Sequence, residues 1–412
     1  MKVAILGYGK SGKAAEKLLK LKNISLIDIF DDKIEGFRDI KEIDCDYDLF
    51  VVSPGIDLKK IDLPKSKITS ELELAMENIK DKKILGITGT NGKSTITFLT
   101  SQILNNAGFK ASYCGNIGKT LGDTYLEENP DIYVLEMSSF QIDLLNKFNL
   151  YSACISNITP DHLDRYGSME DYIFSKKRIA DFVEGKLFIE ENEWNKYFTS
   201  CKNLVYIDPD LKKYPVFENS MLKFSDFYLD ISKFKLFGFH NIVNLAFSML
   251  LANEVADFKG DVTDYIENLQ ALEHRCEFTV EIDGVRYIND SKGTNVDSTL
   301  TALKSSEYPT TLLLGGKDKN GDFTILSDEI NKKVTNVICF GAAGEKIFSM
   351  LRDRISCNIE KVPTLRDAID RSMEITKIGT VLFSPACASF DEFNNFEERG
   401  RFFKSYLLSK RV

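Results

Sequence analysis

The chain has 412 residues, and a soft prior of about 150 residues per domain allows two to four domains. Its 43% hydrophobic and 28% charged residues are the balance of an ordinary globular protein and exclude a disordered chain, a collagen and a coiled coil. With 53 Lys and Arg against 62 Asp and Glu the net charge is −9, which argues against a nucleic-acid duplex or an anionic membrane as partner but not against a small polyanion in a local basic pocket.

The opening MKVAILGYGKSG breaks its apolar run at Gly7, too short for a signal peptide, and no stretch approaches the roughly 20 apolar residues of a membrane span. Eight scattered Cys without a CxxC pair read as reduced thiols. The expectation is a cytoplasmic protein. Strands are predicted at KVAIL (2–6), ISLIDIF (24–30) and DLFVVSPGI (48–56), with a helical pattern through Ala14, Ala15, Leu18 and Leu19. The charged NIKDKK near residue 80 reads as a linker. Strands follow at ILGIT (84–88), IYVLEM (132–137) and YSACISNIT (151–159), and residues 186–237 read as short strands and loops. A mostly apolar helix spans 240–256, and a boundary falls near 270. Beyond it, β-branched runs restart at 279–290, 310–316, 336–341 and 380–385. Alternating strands and helices predict parallel sheets in three consecutive α/β domains, 1–80, 81–271 and 272–412.

GITGTNGKST (86–95) is the strongest local signal. A Gly-rich turn between strand and helix aims the backbone N–H groups of Gly89, Thr90, Asn91 and Gly92 at phosphate oxygens. Lys93 would reach the β- and γ-phosphates, and a hydroxyl of Ser94 or Thr95 would reach Mg²⁺. The strict GxxxxGK[ST] pattern is missed by one residue, since Ile87 stands at the first Gly position. GYGKSG (7–12) matches GxGxxG, with Asp28, Asp31 and Asp32 about twenty residues on, and suggests a dinucleotide or the phosphate of another nucleotide. Glu136 in EMSSFQ ends a strand, and Asp161, His162 and Asp164 lie on the loop SNITPDHLDRYG. Carboxylates and an imidazole beside nucleotide phosphates suit Mg²⁺. FSKKRIA (174–180) reads by default as a solvated basic face, with the phosphate site as its other destination.

In this order GxTGTNGKST, E-x-SSFQ, SNITPDHLDR, FGFHNIVN, EHRCE, NDSKGTN, LGGKDK and SPACASFDEF resemble the motifs of the Mur ligases, the ATP-dependent amino-acid ligases of peptidoglycan precursor synthesis. The resemblance runs from residue 3 to about residue 403. It implies Rossmann-like first and last domains around a central P-loop ATPase-type domain. The compact first domain with GxGKSG and SPGI, and the segment SPACASFDEFNNFEERG, are most similar to the members that add D-glutamate; no DNPR-type diamino-acid signature occurs.

The resemblance implies ATP and Mg²⁺, with UDP-N-acetylmuramoyl-L-alanine and D-glutamate as small-molecule substrates of a cytoplasmic monomer. It implies that Lys176, in a YxxxK-x-RI pattern with Tyr172 and Arg178, is carbamylated. Lys176 then joins Glu136, His162 and Ser94 as a metal ligand. Lys93, Glu136, His162, Lys176 and Arg275 are the implied catalytic set. Asn244, Arg275 and Asp290 match positions around the adenine, phosphates and ribose, with Lys292 in the same loop as Asp290. Thr294, Lys319, Ser389, Phe390 and Phe396 match the D-glutamate site, where Lys317 competes with Lys319. Lys10, Ser11, Gly12, Asp31, Ser53 and Gly55 match the uridine diphosphate end, and Asn116 in GNIG matches an active-site Asn.

Overall fold

The structure, a computed structural model, describes residues 1–236, 238–318 and 321–410, and all side chains among them except those of Leu163 and Asp164. The chain folds into two compact units, Met1–Phe234 with Val243–Leu269, and Lys235–Ile242 with Gln270–Val412. Both are mixed α/β, built on sheets that are mostly parallel.

In the first unit β1 (Lys2–Leu6), β2 (Leu26–Phe30), β3 (Leu49–Val52) and β4 (Ile68–Thr69) form a parallel sheet in the order β2-β1-β3-β4. α1 (Lys10–Leu21) buries Ala14, Ala15, Leu18 and Leu19, the stripe its helical spacing predicts. α2 (Glu71–Met76) follows β4.

A second parallel sheet contains β5 (Lys83–Thr88), β6 (Ala111–Gly115), β7 (Ile132–Glu136), β8 (Ser152–Ile155), β9 (Leu187–Glu190) and β10 (Leu204–Ile207) in the order β10-β9-β8-β5-β7-β6. The connections carry α3 (Lys93–Asn106), α4 (Leu121–Glu127), α5 (Ser139–Asp143), α6 (Leu163–Tyr166) and α7 (Met169–Lys177). β7 and β8 are buried along their whole length, which explains their unbroken apolar runs.

The segment read as short strands and loops adds a small sheet. β11 (Val216–Glu218), β12 (Met221–Lys223) and β13 (Phe227–Asp230) are antiparallel, and β14 (Gly260–Asp261) joins β13 in parallel. α8 (Phe239–Ala256) matches the predicted apolar helix.

The second unit holds β15 (Glu277–Ile282), β16 (Val285–Asn289), β17 (Thr310–Gly315), β18 (Val334–Phe340), β19 (Asn358–Lys361) and β20 (Gly379–Ala386) in the order β15-β16-β20-β17-β18-β19. Only the β15–β16 hairpin is antiparallel among these described strands. Its helices are α9 (Val296–Ser305), α10 (Ser327–Lys333), α11 (Gly344–Leu351), α12 (Leu365–Ile375) and α13 (Phe396–Ser409).

The charged run near residue 80 is not a loose tether. Ile79 is fully buried, in one apolar cluster that contains Val3, Ile5 and Leu18 from the first sheet's layer and Ile84, Leu135 and Ile142 from the second's. The first two sheets thus share a core. All eight Cys are free thiols, and five of them are buried. Among the described residues no helix is long and apolar enough to cross a membrane.

Candidate active site

β5 ends at Thr88 and α3 begins at Lys93, so four residues make the whole phosphate loop. Gly89 and Gly92 take φ of +146° and +82°, and neither has room for a side chain. A Cβ on Gly89 would lie 2.0 Å from Ser156 Oγ, and one on Gly92 would lie 2.5 Å from Asn244 Oδ1. The segment after β8 pins the loop from one side. Thr90 N–H donates to the Asn157 carbonyl at 2.9 Å, Asn91 N–H to Asn157 Oδ1 at 2.8 Å, and Thr159 N–H to Thr90 Oγ1 at 3.0 Å. Lys93 Nζ donates to the Gly89 and Thr90 carbonyls at 3.0 and 2.8 Å. Ser94 is buried in the first turn of α3, with Thr95 beside it.

Gly89→Ala forces either the loop or Ser156 to move, and a displacement of about 1 Å at such a site costs on the order of 10²-fold. The expected outcome is a loss of kcat/KM of about that size in steady-state kinetics, in a protein whose circular dichroism is unchanged.

The strand order places β5 between β7 and β8, and the register sets Ile87 level with Glu136 and Thr88 level with Ile155. Glu136 therefore ends its strand beside the loop. The SSFQ motif that follows is a capping box: Ser138 Oγ accepts Gln141 N–H at 3.2 Å, and Gln141 Oε1 accepts Ser138 N–H at 2.9 Å. It starts α5 at once and leaves Glu136 at the sheet edge. Glu136 is 2% exposed. Its Oε1 accepts Asn116 Nδ2 at 2.7 Å, while Oε2 is buried without a hydrogen-bond partner. An orphaned carboxylate oxygen in that position suits a cation.

Lys176 departs from the default reading of its charge run as a solvated face. On α7, Tyr172 and Lys176 share one face at i,i+4, and that face is buried. Lys176 is 2% exposed, and its Nζ donates to the Gly89 carbonyl at 2.7 Å. Burial holds its amine well below the ordinary lysine range, and the Lys93 ammonium pushes the same way; Asp161, Asp143 and Glu136 oppose them. The Tyr172 hydroxyl lies 3.2 Å from Thr90 Oγ1. Arg178 is a brace, donating to the Asp143 and Leu145 carbonyls at 2.8 and 2.6 Å.

His162 sits on an exposed turn at φ +53°, with its ring centre 4.8 Å from that of Phe140 and Nε2 3.5 Å from Asp161 Oδ2. Among the described residues no three His, Cys, Asp or Glu side chains converge on one point. The donors present are one buried carboxylate, one imidazole and the Ser94 hydroxyl.

In the first sheet the strand ends of β1, β2 and β3 lie together. Asp31 Oδ2 accepts Tyr8 N–H at 2.6 Å and Ser53 Oγ donates to the Gly7 carbonyl at 2.7 Å, so both hold the GYGKSG turn. Gly12 is buried, Ser11 half-buried, and Lys10 and Gly55 are exposed.

In the second unit the predicted residues follow the carboxyl ends of β16, β17 and β20, the edge where parallel sheets bind ligands. Asp290 is buried; Oδ2 accepts Ser384 Oγ at 2.6 Å and Oδ1 accepts Cys276 N–H at 3.2 Å. Burial pushes its carboxyl up to about 6 against these bonds and the nearby Arg275 charge. Thr294 N–H donates to the Lys292 carbonyl at 2.7 Å, and Lys292 Nζ lies 4.0 Å from the centre of the Phe396 ring. Ser389 is buried and Phe390 exposed. Lys317 and Ala388 exchange both backbone hydrogen bonds, at 2.8 and 3.0 Å, which ties LGGK to CAS. Lys319 lies outside the described residues.

Two contributors escaped the sequence reading. Asn157, inside the quoted SNIT motif, holds the phosphate loop. Arg399, 1% exposed, joins the NDSK and ACAS segments, with Nε to Ser291 Oγ at 3.0 Å and Nη2 to the Ser291 and Cys387 carbonyls at 2.8 and 3.1 Å.

The Mur ligase middle domain family matches residues 87–252, and the Mur ligase glutamate ligase domain family matches residues 274–387. The chain belongs to the Mur ligase family. Two curated relatives, each named UDP-N-acetylmuramoylalanine--D-glutamate ligase, are 35% identical to this Mur ligase. The one from Francisella tularensis subsp. novicida aligns over 417 residues, 98% of this chain and 95% of its own. The one from Caldicellulosiruptor saccharolyticus aligns over 455, covering 98% of each. Solved Mur ligases share the fold. The MurF ligase of Thermotoga maritima in complex with ADP has a TM-score of 0.62 at 15% identity, covering 99% of this chain and 95% of that one. The UDP-N-acetylmuramate-alanine ligase MurC of the same organism has a TM-score of 0.59 at 16%, covering both chains fully.

Proposed function

We propose that this Mur ligase uses ATP to join D-glutamate to UDP-N-acetylmuramoyl-L-alanine in the cytoplasm. The buried Lys176 amine bonded to the Gly89 carbonyl of the phosphate loop, beside Lys93 and Glu136, carries the ligase chemistry. The near-full-length relatives named for D-glutamate addition support the amino acid.

The acceptor carboxylate attacks the γ-phosphorus, ADP leaves, and an acyl phosphate forms. The D-glutamate amine then attacks the acyl carbon, loses a proton, and phosphate leaves. Neither step needs a protein nucleophile, so positioning and charge neutralisation dominate. With the Thr90 and Asn91 N–H groups held by Asn157, the N–H groups of Gly89 and Gly92 and the start of α3 cradle the phosphates, and the Lys93 ammonium swings from its carbonyls to the β- and γ-oxygens. The family's motifs assign Arg275, Asn244 and Asp290 to the nucleotide. A neutral Lys176 amine adds to carbon dioxide and releases a proton, turning a neutral group into an anion. Carbamylated Lys176, Glu136, His162 and Ser94 would hold Mg²⁺. Bound there, Mg²⁺ spreads and neutralises phosphoryl charge.

The acceptor's uridine diphosphate lies on Lys10, Ser11, Gly12, Asp31, Ser53 and Gly55, with Asn116 toward the reacting end. Thr294, Lys319, Ser389, Phe390 and Phe396 take D-glutamate. The division into 1–80, 81–271 and 272–412 assigns one ligand to each domain.

The test is phosphate release from ATP and Mg²⁺ with the UDP-muramoyl-alanine acceptor and a panel of amino acids. D-glutamate is expected to exceed every other amino acid by at least about 10²-fold in kcat/KM, the discrimination a site built to pair polar groups can reach. Preference for another amino acid would assign a sister ligase activity, and no release with any would overturn the ligase reading.

A further inference from the structure

The short helix α2 sends two carboxylates from the first sheet's layer into the second's. Glu71 is 4% exposed, and its Oε1 accepts the N–H of Gly122, in the first turn of α4, at 2.6 Å. The hydroxyl of Thr120, the cap of α4, accepts Asp123 N–H at 3.0 Å and donates to Asp123 Oδ2 at 3.1 Å. Two residues on, Glu73 Oε1 accepts the N–H groups of Asn146 and Lys147 at 2.6 and 2.7 Å, just beyond α5. Residues two apart on a helix face different ways, so each carboxylate serves its own neighbour.

α4 is entered through the loop 115–120, which carries Asn116. That loop is anchored at its start, where Asn116 N–H donates to the Glu136 carbonyl at 3.0 Å and Asn116 Nδ2 to Glu136 Oε1. Glu71 anchors its far end. Among the described residues no cation accounts for this burial: the groups acting on Glu71 are the Gly122 N–H, the Thr120 hydroxyl and the like-charged Asp123, and its carboxyl is pushed up to about 7, mainly by burial. An apolar side chain would fill the space at lower cost. It could not hold the Gly122 N–H.

We propose that Glu71 is a positioning residue for the ligase reaction: by fixing the start of α4 it fixes the loop 115–120, and so keeps Asn116 hydrogen-bonded to Glu136 beside the phosphate loop. The proposal rests on the ligase reading above.

The test is a double-mutant cycle in steady-state kinetics, with the parent, Glu71→Ala, Asn116→Ala, the pair, and Glu71→Gln, each checked by thermal unfolding. Glu71→Ala is expected to lower kcat by about 10- to 100-fold, the effect of losing an outer support of a ligand, with the KM for ATP within about 2-fold. Added to Asn116→Ala it should cost less than about 2-fold more, because both changes remove one support. Glu71→Gln keeps a carbonyl oxygen for the Gly122 N–H and should retain most activity. Should Glu71→Ala not fold, Gly122→Ala takes its place in the cycle, since its Cβ would lie 2.9 Å from Glu71 Oε1 and 2.8 Å from Leu18 Cδ1, so that the carboxylate and the flexible Leu18 end must both shift. Multiplicative losses, or a glutamine as damaging as alanine, would overturn the proposal. A parent enzyme without D-glutamate-dependent phosphate release would remove the ligase reading and this proposal with it.

Discussion

Replacing Lys176 by alanine is expected to lower kcat/KM by on the order of 10³-fold, about 4 kcal/mol of transition-state stabilisation. Two losses combine. The bond from Nζ to the Gly89 carbonyl disappears, and with it the anion that a carbamate would place beside Glu136. The second loss is chemical and can be reversed from outside. Formate or acetate at high concentration fits the space vacated by the side chain and brings back a carboxylate, so part of the activity should return with saturation in the added anion. Chloride at the same ionic strength should do nothing. Rescue separates a missing negative charge from a damaged fold, since a collapsed loop gains nothing from acetate. Activity equal to the parent would remove Lys176 from the site, and lost activity without rescue would leave its role to the Gly89 bond alone.

Lys93→Ala is expected to reduce kcat by about 10²- to 10³-fold, the usual effect of deleting one preorganised group that meets charge developing in the transition state. Binding of ATP, followed by calorimetry, should weaken far less, because the N–H groups of Gly89 and Gly92 and the α3 terminus remain. Lys93→Arg should not restore more than about a tenth of the activity. A guanidinium is planar and larger, and it would have to occupy the small space under the Gly89 and Thr90 carbonyls. A Lys93→Ala enzyme within about 3-fold of the parent would show that the loop's backbone alone manages the phosphates.

The phosphate loop was legible because its chemistry is contiguous: strand, glycines, Lys93 and helix are neighbours in the chain. The strands of the parallel sheets were legible for a similar reason, since burial on both faces writes itself as an unbroken apolar run. Lys176 was legible only through the family resemblance. Its neighbours in sequence, Lys177 and Arg178, spell a basic surface, and the carbonyl that its Nζ meets lies 87 residues away. The pairing of Asn116 with Glu136 depends on the register of β6 and β7, which a strand's own composition leaves open. Ile79 was hidden in another way: one apolar residue in a charged run reads as incidental until the cavity that receives it is built from both sides. The short strands of β11–β13 were foreseen but not their pairing with β14 into a small sheet, because strands of two to four residues with exposed polar positions carry no register of their own.

The apolar cluster common to the first two sheets bears on how such an enzyme can be taken apart. A module that is inherited or exchanged as a unit normally closes its own interior. Here Val3, Ile5 and Leu18 share one apolar cluster with Ile79, Leu135 and Ile142. A fragment ending near residue 80 would carry half an interior, and a graft replacing it would have to match the receiving surface as well as the ligand. Recognition of the proposed uridine diphosphate at the amino-terminal end would therefore be tuned in place, through the loops at Gly7, Asp31 and Ser53, while the layer beneath them stays committed to its partner.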